Sequence, residues 1–239
     1  LQTLHIYTNQ LSGTIPTHLG QCTNLQTFSV DGNGLTGTLP TELGLLTILE
    51  SLYVPMNKLT GTLPTELGQL TAIKLLSFLT NFLTGTLPTE MGRLTNILEF
   101  YADDNVIKGT LPSEISALSN VQLLSVTDNS ITGTLPTQVG LMTALKHLFV
   151  DSNLMTGPLP RELGQLSALQ ILEAYNNNFN GTLPMELANL TDLKSLSLGA
   201  NALTGTLPTE WGEMTSLQEL LVHTNQLNGT IPSEISAMS

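Results

Sequence analysis

The stretch LTGTLPTELG, residues 35–44, returns with small changes along the whole sequence. The 239 residues divide into ten rows of 24 without insertion or deletion, and the last row lacks one residue. The rows begin at Leu1, Leu25, Leu49, Ile73, Ile97, Val121, Leu145, Leu169, Leu193 and Leu217. A fixed period of this length is the signature of a solenoid, in which each repeat contacts only its neighbours. Positions within each repeat are numbered below from 1 to 24.

Seven positions of the repeat are apolar almost throughout: 1, 4, 6, 11, 15, 19 and 22. The alternation around positions 4 to 8 predicts a short strand whose inward residues are two apart. Residues 59–63 (LTGTL) alternate in the same way and predict a second short strand. Position 16 is Pro in all ten repeats, which suits the start of a turn or a short 3₁₀ helix.

Two further positions do not vary. Position 9 is Asn in all ten repeats and position 13 is Gly in all ten. Amide side chains carry both donors and acceptors, so we expect a buried Asn ladder that satisfies backbone groups where the chain leaves the strand. Each Asn is also expected to bond to the next one, about 4.8 Å along the stack. The glycines predict backbone conformations or close approaches that tolerate no side chain.

The consensus L-x-x-L-x-V-x-x-N-x-L-T-G-T-L-P-T-E-L-G-x-L-T-x resembles the plant-type leucine-rich repeat (LRR) over the whole chain. The resemblance implies the α/β fold class: a right-handed solenoid with a parallel sheet on the concave side and a second short strand and 3₁₀ turns elsewhere. It further implies a likeness to ectodomains of receptor-like proteins and kinases, and to secreted inhibitors, which bind ligands on the inner face. We expect one solenoid domain over residues 1–239. The family's flanking caps are missing, so a fragment of a longer protein is expected.

The net charge of −12 is largely architectural. Eight of the nineteen acids occupy position 18, where a carboxylate meets the free N–H groups and positive end of a helical turn. They are Glu42, Glu66, Glu90, Glu114, Glu162, Glu186, Glu210 and Glu234. The seven Lys and Arg residues form no basic stripe, which argues against nucleic acid and against direct membrane contact. Cys22 falls in an apolar column and is predicted to be a small buried hydrophobe.

The candidate ligand-binding residues lie on the concave face. Positions 3, 5, 7 and 8 should point outward there, with position 10 at the edge, and they vary while the rest of the sequence repeats. Exposed aromatic residues are enriched in binding sites, although cross-strand packing is the alternative explanation. The predicted set is His5, Tyr7, Tyr53, Met56, Leu79, Phe82, Tyr101, Asp103, Asp104, Asp128, Phe149, Asp151 and Tyr175.

This set contains two patches. Pro55 and Met56 of repeat 3 should join the apolar residues of repeat 4 in a contact site. The four carboxylates of repeats 5 to 7 are the second patch and suggest either Ca²⁺ or a cationic ligand group. The alternative, a solvated acidic edge, is favoured because no loop supplies converging carbonyl ligands. Together the patches suggest a partner with an apolar segment and a basic one.

Nothing in the sequence predicts catalysis or a cofactor. The four histidines, His5, His18, His147 and His223, fall in different columns and form no nucleophile–base pair or metal cluster. Glycosylation sequons occur at Asn180, Asn189 and Asn228, and they give weak support for secretion.

We therefore predict a non-catalytic recognition module, extracellular or at the cell surface, that binds a protein or peptide on its concave face. One alternative is an adhesive or fibre-forming surface protein that self-associates through its lateral face or uncapped ends. Another is ice binding by threonines at positions 12 and 14. Both positions are Thr in five repeats, as Thr36 with Thr38, Thr60 with Thr62, Thr84 with Thr86, Thr132 with Thr134, and Thr204 with Thr206. Variation on the concave face favours recognition.

Overall fold

The structure is a computed structural model, and it describes residues 1–237. The last two residues of repeat 10 therefore lie outside the described residues, as does that end of the predicted solenoid domain. Each repeat adds one strand to a ten-stranded parallel sheet whose order follows the sequence. The strands are Thr3–His5, Thr27–Ser29, Ser51–Tyr53, Leu75–Ser77, Glu99–Tyr101, Leu123–Ser125, His147–Phe149, Ile171–Glu173, Ser195–Ser197 and Glu219–Leu221. Equivalent residues of successive repeats are paired, for example Leu124 with Leu148. We refer to this as the concave sheet, and it confirms the first predicted strand.

The second predicted strand is also present in each repeat, on the lateral side. These strands are Ser12–Thr14, Gly34–Gly37, Lys58–Thr62, Phe82–Thr84, Lys108–Thr110, Ser130–Gly133, Leu154–Pro158, Asn178–Thr182, Ala202–Gly205 and Gln226–Leu227. They form one sheet of four strands and another of six. Backbone bonding continues between the two, because the Lys108 N–H donates to the Gly85 carbonyl at 2.7 Å. We refer to both together as the lateral face.

A 3₁₀ helix follows each lateral strand. The helices are Thr17–Gln21, Thr41–Leu45, Thr65–Gln69, Thr89–Arg93, Ser113–Ala117, Thr137–Leu141, Arg161–Gln165, Met185–Asn189, Thr209–Glu213 and Ser233–Ala237. In repeat 2, extended Pro40 precedes the helix and Glu42 lies in its first turn, as predicted. Within residues 1–237, no helix has the length and apolar character needed to cross a membrane.

The apolar columns fill the space between these elements. Leu49, Leu52 and Leu67 of repeat 3 are fully buried, and such burial contributes about 1.5–3 kcal/mol per side chain. Trp211 takes the place of an aliphatic residue at position 19, and its indole N–H donates to the Pro184 carbonyl at 3.0 Å. Cys22 is only half-buried against this core, less than the sequence predicts, because repeat 1 is packed on one side only.

The Asn ladder satisfies backbone groups, as predicted. The buried Asn153 Nδ2 donates to the carbonyls of Val126 and Asp151, both at 2.9 Å. Its Oδ1 accepts the backbone N–H of Ile131 at 2.9 Å. The predicted bonds between successive Asn side chains are wrong for the described residues, because each amide is engaged with the backbone of its own and the preceding repeat.

The uniform Gly and Thr columns of the lateral face contact each other across repeats. Gly61 has φ +78°, and a Cβ added there would lie 2.6 Å from the Thr38 methyl group. In the opposite direction, the Thr60 hydroxyl donates to the Gly37 carbonyl at 3.3 Å. The threonine of one repeat thus covers the glycine of the next, which gives both columns a structural role.

Candidate ligand-binding surface

The outward positions of the concave sheet share one surface. His5 and Tyr7 have ring centroids 5.9 Å apart, and His147 and Phe149 have centroids 6.1 Å apart. The two members of each pair are two residues apart in sequence. They lie on the same face because successive side chains of a strand point to opposite faces. Positions 3, 5 and 7 therefore form parallel columns that run along the solenoid.

The rings at position 5 alternate with small buried residues. Tyr53, Tyr101 and Phe149 are half-buried, and the intervening Ser77 and Ser125 are buried. The Tyr101 hydroxyl donates to Glu99 Oε2 at 3.0 Å. Burial, together with the hydrogen bond and charge of Glu99, raises the Tyr101 pKa to about 12. The structure thus places Tyr53, Tyr101 and Phe149 on one column, whereas Tyr7 and Tyr175 lie on the column of position 7.

The apolar patch of repeats 3 and 4 is exposed at its edge. Met56 and Phe82 are 51% and 55% exposed, whereas Leu79 is half-buried and Pro55 is buried. Phe82 is the first residue of a lateral strand, so the patch bends from the concave sheet onto the lateral face. The exposed Val106 occupies the next place in the same column and was missed from sequence. Reading position 10 as its own column would have found it.

A ridge of left-handed residues runs along the edge of the concave sheet. Position 8 has positive φ in all of the repeats: Gly32 has φ 61°, and the nine other residues have φ between 49° and 54°. Met56 and Asp104 are among them, each with φ 50°. Left-handed backbone costs a non-glycine residue about 1–2 kcal/mol. The sequence carries little sign of this ridge, because only repeat 2 has glycine there.

The four predicted carboxylates fall into two environments. Asp104 and Asp128 are exposed as expected, but Asp103 and Asp151 are only 8% and 1% exposed. The prediction that all four face solvent is therefore wrong for these two. Their burial is explained by Thr127, which was missed from sequence. Its N–H donates to Asp103 Oδ1 at 2.9 Å, and its hydroxyl donates to Asp151 Oδ1 at 2.8 Å.

Glu173 of repeat 8 extends this group. We refer to the five residues together as the acidic cluster: Asp103, Asp104, Asp128, Asp151 and Glu173. Burial raises the pKa of Asp103 and of Asp151, and hydrogen bonds from Ser125 and Thr127 offset part of the effect. Burial, followed by the charge of Asp151, raises the pKa of Glu173. The charge of Asp151 thus contributes to the raised pKa of Asp103 and of Glu173, and the charge of Asp128 contributes to that of Asp151.

One atom of the cluster has no partner. Asp151 Oδ2 is buried and has no hydrogen bond. The Tyr175 side chain is nearby, since the charge of Asp151, ahead of burial, raises the Tyr175 pKa. The Tyr175 hydroxyl also offsets part of the burial effect on the Asp151 pKa, but it completes no hydrogen bond to Oδ2. Among residues 1–237, no three His, Cys, Asp or Glu side chains converge as metal ligands, so the Ca²⁺ interpretation gains no geometric support.

His147 is a basic side chain of the concave sheet, and its ring lies 6.1 Å from that of Phe149. Burial, followed by the charges of Lys146 and Lys194, lowers its pKa. It is therefore neutral at pH 7 and does not balance the acidic cluster.

The three sequon asparagines are exposed in the structure. Asn180 lies in a lateral strand, Asn189 ends a 3₁₀ helix and Asn228 follows the last lateral strand. All three are accessible to modification, and their glycosylation stays a prediction.

Known proteins share this repeat and this geometry. The Leucine Rich Repeat family matches residues 1–22, 24–46, 168–190 and 216–238. A search among curated proteins found no significant match. The LRR protein LIC12759 of Leptospira interrogans is 31% identical, with a TM-score of 0.59, over 100% of this chain and 70% of that one. The chain belongs to the leucine-rich repeat family, as its sequence predicted.

Two solved plant proteins are also similar. The plant peptide hormone receptor RGFR1, in complex with RGF2, has a TM-score of 0.98 and 38% identity over 100% of this chain. This chain spans only 38% of that receptor chain. A plant ice-binding protein has a TM-score of 0.82 and 25% identity, over 96% of this chain and 74% of that one.

Proposed function

We propose that this chain is an extracellular protein- or peptide-recognition module that binds its ligand on the concave sheet and catalyses no reaction. The observation that carries the proposal is a contrast in composition. Lateral positions repeat because they contact the next repeat, whereas outward positions of the concave sheet change from repeat to repeat. The similarity to a peptide hormone receptor supports the same function.

The two patches define the ligand we expect. The apolar patch begins with Met56 in repeat 3, and the acidic cluster reaches Glu173 in repeat 8. With repeats about 4.8 Å apart, this surface is roughly 24 Å long. An extended peptide of about seven residues covers that length. We therefore expect a short segment that has an apolar part and a basic part.

Selection from a peptide display library tests this proposal. The affinity of peptides selected on the wild-type chain is then measured for the variant Asp104→Lys/Asp128→Lys. The control is Glu186→Lys/Glu210→Lys, which changes the net charge by the same amount but on the 3₁₀ helices. We expect the first variant to weaken binding about tenfold or more and the control to bind normally. Failure to enrich any peptide contradicts the proposal, whereas equal binding to both variants contradicts only the expected basic part of the ligand.

The extracellular setting has a separate test. We expect natively sourced protein to carry sugar at one or more of the three sequons. Its intact mass should therefore fall when N-glycans are removed enzymatically. A mass unchanged by the enzyme counts against passage through the secretory pathway.

Ice binding by the lateral face is the second candidate. It is favoured by threonines at positions 12 and 14 that are exposed, apart from half-buried Thr204, and by the similarity to a plant ice-binding protein. However, Lys108 and Asn180 interrupt the array, and several position-12 hydroxyls donate to glycine carbonyls, as Thr60 does. Thermal hysteresis in the wild type that is lost in Thr36→Lys/Thr60→Lys would establish this function. A wild-type chain without thermal hysteresis would exclude it.

A further inference from the structure

We propose, resting on the recognition function above, that the acidic cluster is the subsite for a guanidinium or ammonium side chain of the ligand. The first observation is the unpartnered oxygen of Asp151. Thr127 satisfies Oδ1, but Oδ2 is buried and receives no hydrogen bond. Buried polar atoms are almost always paired, and one that is not calls for a specific explanation. An N–H donor from a bound cation supplies the missing partner when the exposed Tyr175 side chain, which lies next to Asp151, moves aside.

The second observation is missing charge compensation. The two ion pairs found within residues 1–237 are Lys74 with Glu50 and Arg161 with Glu162, and neither includes the acidic cluster. Glu99 and Glu219 add further negative charge to the same sheet. A bound cation offsets the mutual repulsion of these carboxylates, so complex formation and relief of repulsion act in the same direction.

The surroundings favour an organic cation. Aromatic rings lie next to the carboxylates: exposed Tyr175 beside Asp151, and half-buried Tyr101 and Phe149 on the neighbouring column. A guanidinium group can pair with a carboxylate and lie over a ring at once, because it is planar and weakly hydrated. Arginine is therefore the side chain that matches both features of the subsite.

The subsite also fixes the spacing between two side chains of the ligand. Met56 lies in repeat 3 and Asp128 in repeat 6, which places them roughly 14 Å apart along the sheet. An extended chain covers that distance in about four residues. Ligand peptides are thus expected to carry a bulky apolar residue about four positions from an arginine or lysine.

The test uses N-acetyl-L-argininamide as the probe and N-acetyl-L-citrullinamide as its neutral counterpart. Binding to the folded chain is followed by NMR shifts of the Tyr175 side chain, which wild type, variant and control all contain. The variant is Asp128→Asn/Asp151→Asn, in which the amide oxygen introduced by the second substitution can still accept the Thr127 hydroxyl. The matched control is Glu186→Gln/Glu210→Gln. We expect saturable argininamide binding that weakens about tenfold in the variant and is unchanged in the control.

Equal responses to argininamide and citrullinamide would overturn the subsite, as would saturation by Ca²⁺ alone without any effect of argininamide. The selected peptides separate this inference from the proposed function. If they bind the wild type and Asp128→Asn/Asp151→Asn equally, the cationic subsite is wrong and recognition stands. If no peptide is selected but argininamide binds as expected, the subsite stands and peptide recognition fails.

Discussion

The lateral face and the concave sheet differ in what each side chain contacts. On the lateral face, the Thr38 methyl covers Gly61 of the next repeat, and the Thr60 hydroxyl bonds back to the Gly37 carbonyl. On the concave sheet, the outward residues leave the strand pairing unchanged whichever side chain they carry. The lateral sequence is therefore uniform because the stacking of repeats depends on it, and the concave sequence is free to specify a ligand.

The concave side also contains the strained features of the molecule. Its edge holds Met56 and eight other non-glycine residues in left-handed backbone, and its centre holds carboxylates that form no ion pair within residues 1–237. Both features reduce stability, and both lie where the ligand is expected. Substitutions on each side test this difference.

The largest effect is expected inside the solenoid, where both faces depend on the Asn ladder. Asn153→Ala leaves the N–H of buried Ile131 without a partner and removes one donor from the Val126 carbonyl, which keeps its bond from Asn129. The free energy of unfolding should fall by about 3–5 kcal/mol in urea titrations. The exposed Asn178→Ala on a lateral strand is the control and should change it by less than about 0.5 kcal/mol. Similar values for both would contradict the ladder's role.

The Gly and Thr contact of the lateral face should give the next largest effect. Gly133 has φ +76°, and an added Cβ would lie 2.7 Å from the Thr110 methyl. Gly133→Ala should cost about 2–4 kcal/mol, and adding Thr110→Ser should recover part of that loss. The control is Gly34→Ala. Gly34 has no positive φ, so this substitution should lower the free energy of unfolding by less. Additive effects of the two changes would show that the methyl is not in contact.

At the edge of the concave sheet, substitution should stabilise the chain. Met56→Asn places a residue that tolerates left-handed backbone at φ 50°. We expect a gain of about 0.5–1 kcal/mol in the free energy of unfolding, whereas Gly32→Ala in the same column should lose about as much. A loss in Met56→Asn would mean that Met56 packs against the scaffold and is not reserved for a ligand.

Much of this architecture follows from the sequence, and the exceptions have physical causes. The alternating apolar positions predicted both strands, and the Asn and Gly columns predicted the ladder and the close approaches because each requires a particular backbone contact or conformation. The left-handed ridge was missed because residues such as Met56 adopt it under the constraint of the stacked repeats. The burial of Asp103 and Asp151 was missed because it depends on Thr127, whose contacts cross between repeats. Such side-chain contacts occur in single repeats, so the 24-residue periodicity does not reveal them.

The smallest effect concerns pH. Burial raises the pKa of Asp103 from its ordinary value of 3.8. Between the unfolded and folded pKa values the folded chain binds more protons, so the free energy of unfolding falls as the pH rises through that interval. Asp103→Asn should remove this loss, so that the variant gains stability relative to wild type at pH 7 but not at pH 3. Urea unfolding midpoints between pH 3 and pH 7 measure this stability difference. The matched control for the loss of one charge is Asp104→Asn, at an exposed residue. Parallel pH profiles for wild type and Asp103→Asn would contradict the expectation.

The most direct test of the central claim is the affinity of one selected peptide for two variants with matched changes on the two faces. Tyr53→Ser/Tyr101→Ser alters the concave sheet, and Thr60→Ser/Thr84→Ser alters the lateral face without removing its hydroxyls. We predict that the first variant weakens binding about tenfold or more and that the second changes it less than about twofold. Loss of binding only in the lateral variant would place recognition on the wrong face and contradict the account.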